Sequence, residues 1–292
     1  PQNRNEELLA HQPFLVLSDY FTRNGIIVLR YDDRGVGASS GDFSSSTSMD
    51  FASDASAAVN YLKSRTDLPI NKIGIAGHSE GGLIAPLTAS ENKNVGFIVM
   101  LAGPGIPGDS ILYLQGDLIA RASGLSDKSV DAYNALRLQL MEVAKNEIDA
   151  DVMRKKMIDT NKAFLANTPK SILKELEMTE DDVEEGLDVY TSEWMQFFMA
   201  YDPRPTLEQI TIPVLAVNGT TDLQVPFKQN LDGIEKALTK AGNKQFEIVA
   251  LENLNHLFQT SETGNPVEYS TIEESFNEKA MQLIGDWIKA VK

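Results

Sequence analysis

A single serine lies in a sequence pattern that is typical of nucleophilic catalysis. Ser79 is the central residue of 77–81, whose sequence Gly-His-Ser-Glu-Gly fits the pattern Gly-x-Ser-x-Gly. The apolar runs 72–76 and 83–89 flank it, so we predict a sharp turn between a strand and a helix. Such a turn presents the serine hydroxyl beside a helix N-terminus, where developing negative charge is favoured. Ser79 is therefore the predicted nucleophile, and the alternative is a glycine-rich turn whose serine caps a helix.

The two glycines of this pattern carry a steric prediction. Gly77 and Gly81 lie two residues before and after the serine. In such a sharp turn we expect both to approach other backbone atoms so closely that neither position has room for a side chain.

A nucleophilic serine needs a base, and the chain has only three histidines. His78 adjoins the serine and is expected to point the opposite way, into packing. His11 lies before a helical pattern near the N-terminus. His256 follows the strand-like run 245–251, and an imidazole in that loop can reach over the serine. His256 is the predicted base, and the alternative is a surface loop histidine.

The acid that orients the base is predicted in another loop that follows a strand. Residues 213–218 have the pattern of a buried strand, and Asp222 comes shortly after it. Aspartate also favours turns, so a purely structural role stays open. The chain order Ser79, Asp222, His256 is that of α/β-hydrolases and differs from the orders of chymotrypsin and subtilisin.

On these residues the chain resembles the α/β-hydrolase superfamily. It is most similar to the bacterial esterase and serine-aminopeptidase-like branch, which carries a helical cap. The segments that carry the resemblance are residues 30–39, 77–82, 218–226 and His256. The resemblance implies a serine hydrolase that cleaves a carboxylic ester of a small-molecule acyl substrate and needs no cofactor or metal. Its catalytic residues would be Ser79, Asp222 and His256.

The resemblance also implies donors for an oxyanion. The backbone N–H of Glu80, the residue after the nucleophile, is one expected donor. The other is expected from the loop at the start of the chain. Because a chain-linked proline has no N–H, Gln2 or a residue upstream is predicted to provide it. The Glu80 side chain is expected either to bind a cationic or hydroxylated group or to face solvent at the helix N-terminus.

Alternating strand and helix patterns predict an α/β fold with a doubly wound, mostly parallel sheet. The predicted strands are residues 26–31, 72–77, 95–101, 212–218 and 245–251. Ligands bind beyond the carboxyl ends of such strands, and each of the three predicted catalytic residues follows the end of a strand. In the family another strand lies between the first two of these, so we expect about 40 or more residues upstream of residue 1, missing from the given chain.

Between residues 107 and 205 the sequence shows helical patterns and no convincing strand. The predicted helices are 109–123, 126–147, 150–166, 169–175 and 191–200. An all-helical block between two sheet strands predicts a cap over the site, with core segments 1–106 and 206–292 on either side. The last of these helices is apolar nearly all round, so Trp194, Phe197 and Phe198 either line a substrate pocket or pack in the core.

Composition limits the partners. The formal charge of −16 argues against nucleic acid and anionic membranes. No apolar run approaches the ~20 residues that a membrane span needs. The absence of cysteine excludes thiol catalysis and thiolate metal sites, and three scattered histidines have no metal-ligand spacing. We expect a soluble protein, either cytoplasmic or exported, and a homodimer is compatible with the sequence.

Two other functions stay open at this stage. The same catalytic residues serve aminopeptidases and other amide or thioester hydrolases. An aminopeptidase needs an anionic site for the free amine of its substrate, and Glu193 and Asp202 are acids of the predicted cap. The second alternative is a non-catalytic binding protein on a hydrolase fold, which normally lacks part of the catalytic set.

Overall fold

A computed structural model describes residues 2–291, and its centre is a four-stranded parallel sheet. The strands are β1 (Ile73–His78), β2 (Val95–Leu101), β3 (Val214–Gly219) and β4 (Phe246–Leu251). They lie side by side in chain order, and each neighbouring pair is parallel. Parallel neighbours need a crossover connection, and helices supply it here. The predicted parallel sheet is therefore confirmed for these four strands.

Helices account for most of the remaining regular structure. In chain order they are α1 (Pro13–Arg23), α2 (Ser48–Ser64), α3 (Glu80–Glu91), α4 (Gly108–Ala122), α5 (Asp127–Asn146), α6 (Ala150–Asn167), α7 (Lys170–Glu175), α8 (Leu187–Thr191), α9 (Glu193–Ala200), α10 (Arg204–Leu207), α11 (Phe227–Lys240) and α12 (Glu278–Ala290). Short 3₁₀ helices cover Glu180–Val183 and Pro266–Thr271. Within residues 2–291, none of the helices has the length and apolar character that crossing a membrane requires.

Side chains of the central strands alternate between two hydrophobic cores. In β2, Ile98 and Met100 belong to the core that includes residues of α2, α3 and α11. Val99 and Leu101 belong to the opposite core, which includes residues of α1 and α12. All four side chains are buried, as is typical of a parallel strand covered on both faces. The sheet is thus doubly wound, as predicted.

Residues 26–31 were predicted to be a strand, and this prediction is wrong for the structure. The segment belongs to no ladder, although it keeps the alternation of a strand. Ile26 and Val28 pack against the α1/α12 core, whereas Ile27 and Leu29 are 46% and 38% exposed. An apolar alternation reports which side chains are buried, but a strand also needs a hydrogen-bonded neighbour.

All the regular secondary structure between β2 and β3 is helical, which confirms the absence of strands predicted there. Methionine and leucine side chains of α5, α6, α8 and α9 form a core of their own. A second cluster joins this helical block to the sheet, because Phe198 of α9 packs with Leu83 of α3 and with Val225. The block therefore rests on the helix that follows Ser79 and on the loop that follows Asp222. The boundaries at 107 and 205 stay a prediction.

The strand register brings the functional loops to one edge of the sheet. His78, the last residue of β1, pairs with Leu101, the last residue of β2. Leu101 pairs with Val217 of β3, and Val217 pairs with Val249 of β4. The loops that carry the predicted catalytic residues all begin within about two residues of this row.

Candidate active site

Ser79 occupies a strained turn between β1 and α3. Its backbone angles are φ 54° and ψ −117°, which are rare for a residue with a side chain. Such a conformation costs on the order of 1–3 kcal/mol and is retained where the surroundings impose it. One such constraint is the Ser79 N–H, which donates to the Leu101 carbonyl at 2.8 Å. The predicted strand-to-helix turn is present, with a half-buried serine at its apex.

The glycines around this turn differ in how much space they have. A Cβ on Gly77 would lie 2.0 Å from the Gly81 carbonyl oxygen. A Cβ on Gly82 would lie 2.5 Å from the Cα of Gly103. A Cβ on Gly81 would meet nothing within 4 Å, so the prediction that Gly81 must lack a side chain is wrong. Close backbone approach requires glycine at 77 and 82.

Asp222 and His256 form a buried hydrogen-bonded pair. The Nδ1 atom of His256 lies 2.8 Å from Oδ2 of Asp222, and the two side chains are 6% and 0% exposed. The other carboxylate oxygen of Asp222 accepts from the backbone N–H groups of Gln224 and Val225, at 2.8 and 2.9 Å. These bonds fix the carboxylate toward Nδ1 of the imidazole, which leaves Nε2 as the nitrogen that can exchange a proton elsewhere.

The loop of His256 is held in shape by its neighbour. Asn255 is fully buried, and its Oδ1 accepts from the N–H groups of Leu257 and Gln259 at 3.0 and 2.9 Å. Its side-chain amide donates to Oε1 of Gln259 at 2.9 Å. Sequence reasoning missed this residue, although a polar residue directly before a predicted base is a usable signal. Asn255 stabilises the turn that carries the imidazole.

His78 connects the nucleophile turn to the loop of the base. Its Nε2–H donates to the His256 carbonyl at 2.8 Å, and the two ring centroids are 4.7 Å apart. Its Nδ1 lies 2.7 Å from Oε1 of Glu6. Burial is the largest single influence on the pKa of the His78 imidazole and lowers it, but the charge and hydrogen bond of Glu6, the bond to the His256 carbonyl and the charge of Asp222 together raise the pKa. The residue is buried as expected, but it contacts the base.

Glu80 follows the serine and is the first residue of α3. The backbone N–H groups of a first helical turn have no intrahelical acceptor, so the Glu80 N–H is available at this edge. The carboxylate oxygen Oε1 accepts from Ser48 Oγ at 2.6 Å and from Trp194 Nε1 at 2.8 Å. Burial raises the pKa of this carboxyl, although both hydrogen bonds lower it. The side chain thus links α2, α3 and α9, a role that neither sequence-based expectation included.

The three aromatic side chains of α9 have different surroundings. Trp194 stacks on Phe198, with ring centroids 5.9 Å apart, and its hydrogen bond to Glu80 places it near the nucleophile turn. Phe198 is buried in the cluster that joins the helical block to the sheet. Phe197 is half-buried and stacks on Tyr201 at 5.3 Å. Their assignment to a substrate pocket stays a prediction.

Gln2 does not present its backbone N–H to the site. That N–H donates to Oδ2 of Asp33 at 2.7 Å, and the Gln2 carbonyl accepts from the Asp33 N–H at 3.1 Å. A group engaged in this way is not free to stabilise an oxyanion, so the structure does not support Gln2 as a donor. Over the described chain, no group of three or more histidine and acidic side chains is arranged to hold a metal ion.

Comparisons with known proteins agree on the fold. The family model described as Hydrolase_4, serine aminopeptidase S33, matches residues 12–186. Esterase EstD of Thermotoga maritima is 25% identical over 275 residues, which are 92% of this chain and 55% of that protein. The chain therefore spans about half the length of this curated relative.

Solved structures of esterases resemble the whole chain. An esterase from Pyrococcus furiosus is 16% identical with a TM-score of 0.51, and the match covers 95% of this chain and 75% of that one. Est1E of Butyrivibrio proteoclasticus, solved with ferulic acid, is 15% identical with a TM-score of 0.53, covering 99% and 86%. At these identities the likeness shows the fold alone.

Proposed function

This chain belongs to the serine aminopeptidase S33 family of α/β-hydrolases, and we propose that it hydrolyses carboxylic esters through an acyl-enzyme. In this proposal Ser79 is the nucleophile, His256 the base and Asp222 the acid that orients the base. The observation that carries it is the buried Asp222–His256 pair at the sheet edge where Ser79 is held in a strained turn. The similarity to an esterase over 92% of the chain supports the choice of ester substrates.

The proposed reaction begins with proton transfer from Ser79 to Nε2 of His256. The serine Oγ attacks the ester carbonyl carbon, and Asp222 stabilises the imidazolium that forms. The Glu80 N–H donates to the oxyanion of the tetrahedral intermediate. The ester C–O bond then breaks, and His256 returns the proton to the departing alcohol. Water repeats the sequence on the acyl-enzyme and releases the carboxylic acid and the free serine.

The acids that we considered for an aminopeptidase amine site have other surroundings. Both carboxylate oxygens of Asp202 are bound by Arg204, at 2.6 to 3.1 Å. Glu193 lies exposed at the start of α9. Asp202 is neutralised by Arg204 and Glu193 is exposed, so neither residue forms a buried anionic site for a substrate ammonium group. These two acids therefore do not favour an aminoacyl substrate, although the family contains aminopeptidases.

We also propose that the helical block 107–205 acts as a cap and that Trp194 lines the acyl site beneath it. The support for Trp194 is the hydrogen bond of its indole N–H to the carboxylate of Glu80, the residue that follows the nucleophile. We expect Trp194→Ala to raise KM for long-chain esters by about 10-fold or more, since it removes apolar contact area. Acetyl esters, which cannot reach as far, should change less.

The decisive experiment compares Ser79→Ala and His256→Ala with the unaltered protein. The assay is a panel of p-nitrophenyl esters of increasing chain length, together with aminoacyl anilides. Each variant should lose on the order of 10⁶ in turnover while circular dichroism shows an unchanged fold. Ser64→Ala is the matched control, because that serine lies exposed at the end of α2.

A fluorophosphonate probe tests the alternatives in the same samples. It should label the unaltered protein and the Ser64→Ala control, and fail to label Ser79→Ala. Faster cleavage of anilides than of any ester would favour an aminopeptidase. Full ester hydrolysis by Ser79→Ala would reject the proposed nucleophile, and a protein that neither reacts with the probe nor hydrolyses the panel would favour a binding protein.

A further inference from the structure

We propose that Glu6 and His78 form a buried ion pair that positions the catalytic histidine, His256. The proposal rests on the ester hydrolysis proposed above, because it assigns positioning residues to that reaction. Neither residue belongs to the Ser79, Asp222 and His256 set.

The His78 ring joins three segments that are distant in sequence. Its Nε2–H donates to the His256 carbonyl at 2.8 Å, and its Nδ1 lies 2.7 Å from Oε1 of Glu6. Because His78 directly precedes Ser79, the first bond ties the loop of the base to the strand that carries the nucleophile. His78 and Glu6 are both buried, and Glu6 adopts a positive φ of 52°. Such an angle in a glutamate indicates that the backbone at this residue is held in place by its surroundings.

Both partners of the ring are hydrogen-bond acceptors. The His256 carbonyl can only accept, so Nε2 of His78 must carry a proton. A Glu6 carboxylate can also only accept, so Nδ1 carries a proton too, and the ring is then an imidazolium. Burial is the largest single influence on the pKa of His78 and lowers it, but Glu6, the His256 carbonyl and Asp222 together raise the pKa above its ordinary value, which favours this charged form over a neutral imidazole facing a carboxylic acid.

The titratable groups around His78 come from three segments. Glu6 lies on the N-terminal segment, the His256 ring on the loop after β4, and Asp222 on the loop after β3, where its charge also raises the pKa of His78. Phe14 and Phe258 also pack edge-on against His78, with ring centroids 6.4 and 6.2 Å from that of the imidazole. The ion pair therefore lies in apolar surroundings beside the catalytic pair, where charges interact strongly.

Two consequences follow for His256. Its backbone is fixed relative to Ser79 through the His78 hydrogen bond, so the distance between base and nucleophile depends on this ring. In addition, a charged His78 ring donates a stronger hydrogen bond to the His256 carbonyl than a neutral ring would. The ion pair should thus hold the loop of the base more firmly than a neutral His78 would.

Glu6→Gln removes the charge and preserves the contacts. A glutamine amide can donate to Nδ1 of a neutral His78 while Nε2–H still donates to the His256 carbonyl. We expect kcat for an ester to fall by about 3-fold or more with little change in KM, because the neutral ring donates a weaker hydrogen bond to the His256 carbonyl. Glu7→Gln is the matched control, since this exposed neighbour changes the same charge and contacts Asn3 instead. An unchanged kcat in Glu6→Gln, or an equal fall in Glu7→Gln, would overturn the proposal.

The charge of the ring is measured independently of activity. The chain has three histidines, so ¹⁵N spectra of labelled imidazoles contain three ring systems, and His78→Gln identifies the signals of His78. We expect both His78 nitrogens to be protonated at neutral pH in the unaltered protein and only one in Glu6→Gln. A neutral His78 in the unaltered protein would refute the ion pair. If no ester were hydrolysed, the proposed function would fail and this spectrum would still decide the charge.

Substitution of His78 separates positioning from folding. His78→Gln keeps an N–H that can reach the His256 carbonyl, whereas His78→Phe keeps the ring and removes the donor. The phenylalanine variant is made together with Glu6→Gln, because it would otherwise leave a buried carboxylate without a partner. We expect it to lower kcat by about 10-fold or more with little change in KM. His78→Gln should recover part of that loss. A purely structural role predicts equal kcat for the two variants once the folded fractions are matched by thermal unfolding.

Discussion

The carboxylate of Asp222 lies 2.8 Å from Nδ1 of His256, and neither side chain is more than 6% exposed. In the proposed mechanism this bond selects the imidazole tautomer whose Nε2 is free to accept a proton. Asp222→Asn would keep the size of the side chain and present an amide in place of the carboxylate. We expect kcat for ester hydrolysis to fall by about 10⁴-fold, as in serine proteases, with KM nearly unchanged.

Asp232→Asn is the control for this prediction. Asp232 is an exposed residue of α11 whose carboxylate pairs with Lys236 at 2.7 Å. The Asp232→Asn substitution removes the same formal charge at a distance from the site, so the steady-state kinetics of this variant should match those of the unaltered protein. An Asp222→Asn variant that kept more than about a tenth of its kcat would show that another group orients His256.

A pair of glycine substitutions tests how the nucleophile turn is packed. The Cβ of Gly77→Ala would lie 2.0 Å from the Gly81 carbonyl, which is backbone and cannot move aside cheaply. We expect a loss of about 3 kcal/mol or more in the free energy of unfolding. The Cβ of Gly81→Ala would enter open space, and this variant should stay within about 1 kcal/mol of the unaltered protein. Denaturant unfolding measures both, and similar losses in the two variants would contradict the packing described here.

The parts of the fold that the sequence predicted are those encoded locally. β2 and β3 are apolar over most of their length because a central parallel strand is covered on both faces, and such runs are visible without knowledge of their neighbours. β1 and β4 are also rich in apolar residues, although they are less buried. The turn at Ser79 was predicted for a similar reason, since its glycines and the flanking apolar runs lie within about 20 residues. Asp222 and His256 were found because each follows a strand end, and parallel strand ends meet at one edge.

The features that the sequence did not predict depend on partners far along the chain. Residues 26–31 have the alternation of a strand, but pairing is decided by a neighbour rather than by the segment itself. The Gln2 N–H was expected to face the site, and Asp33, 31 residues away, binds it instead. His78 and Glu6 are 72 residues apart, so no local pattern links them. Single hydrogen bonds of this kind follow from the assembled fold.

Glu80 makes the stability of the fold depend on pH in a predictable direction. Burial raises the pKa of its carboxyl above the ordinary value of 4.5. The folded state then binds this proton more tightly than the unfolded chain. Protonation of Glu80 therefore stabilises the fold below about pH 4.5, and this contribution is lost as the pH rises through the pKa of the folded state. Glutamine has no such proton. We therefore expect the free energy of unfolding of Glu80→Gln, relative to the unaltered protein, to increase between about pH 4 and 7.

Glu91→Gln is the matched control at the other end of α3. Glu91 is the last residue of this helix and is exposed, so its substitution should give a difference in unfolding free energy that changes little over the same pH range. Chemical denaturation at a series of pH values provides both curves. Parallel curves for Glu80→Gln and Glu91→Gln would show that burial of the Glu80 carboxyl does not control its protonation.

Asn255 should affect catalysis through the loop that carries the base. Asn255→Leu keeps a similar volume but leaves the buried N–H groups of Leu257 and Gln259 without their acceptor, at a cost of about 1–3 kcal/mol for each group. We expect lower stability and, in the remaining folded protein, a kcat reduced by about 10-fold or more because the His256 turn relaxes. Asn230→Leu is the control: Asn230 is also fully buried, and it bonds to Gly105 and Pro226 at the start of α11. That variant should lose stability to a similar extent and retain most of its kcat. Equal losses of kcat in both variants, measured on samples with matched folded fractions, would remove the specific role of Asn255 in holding the base.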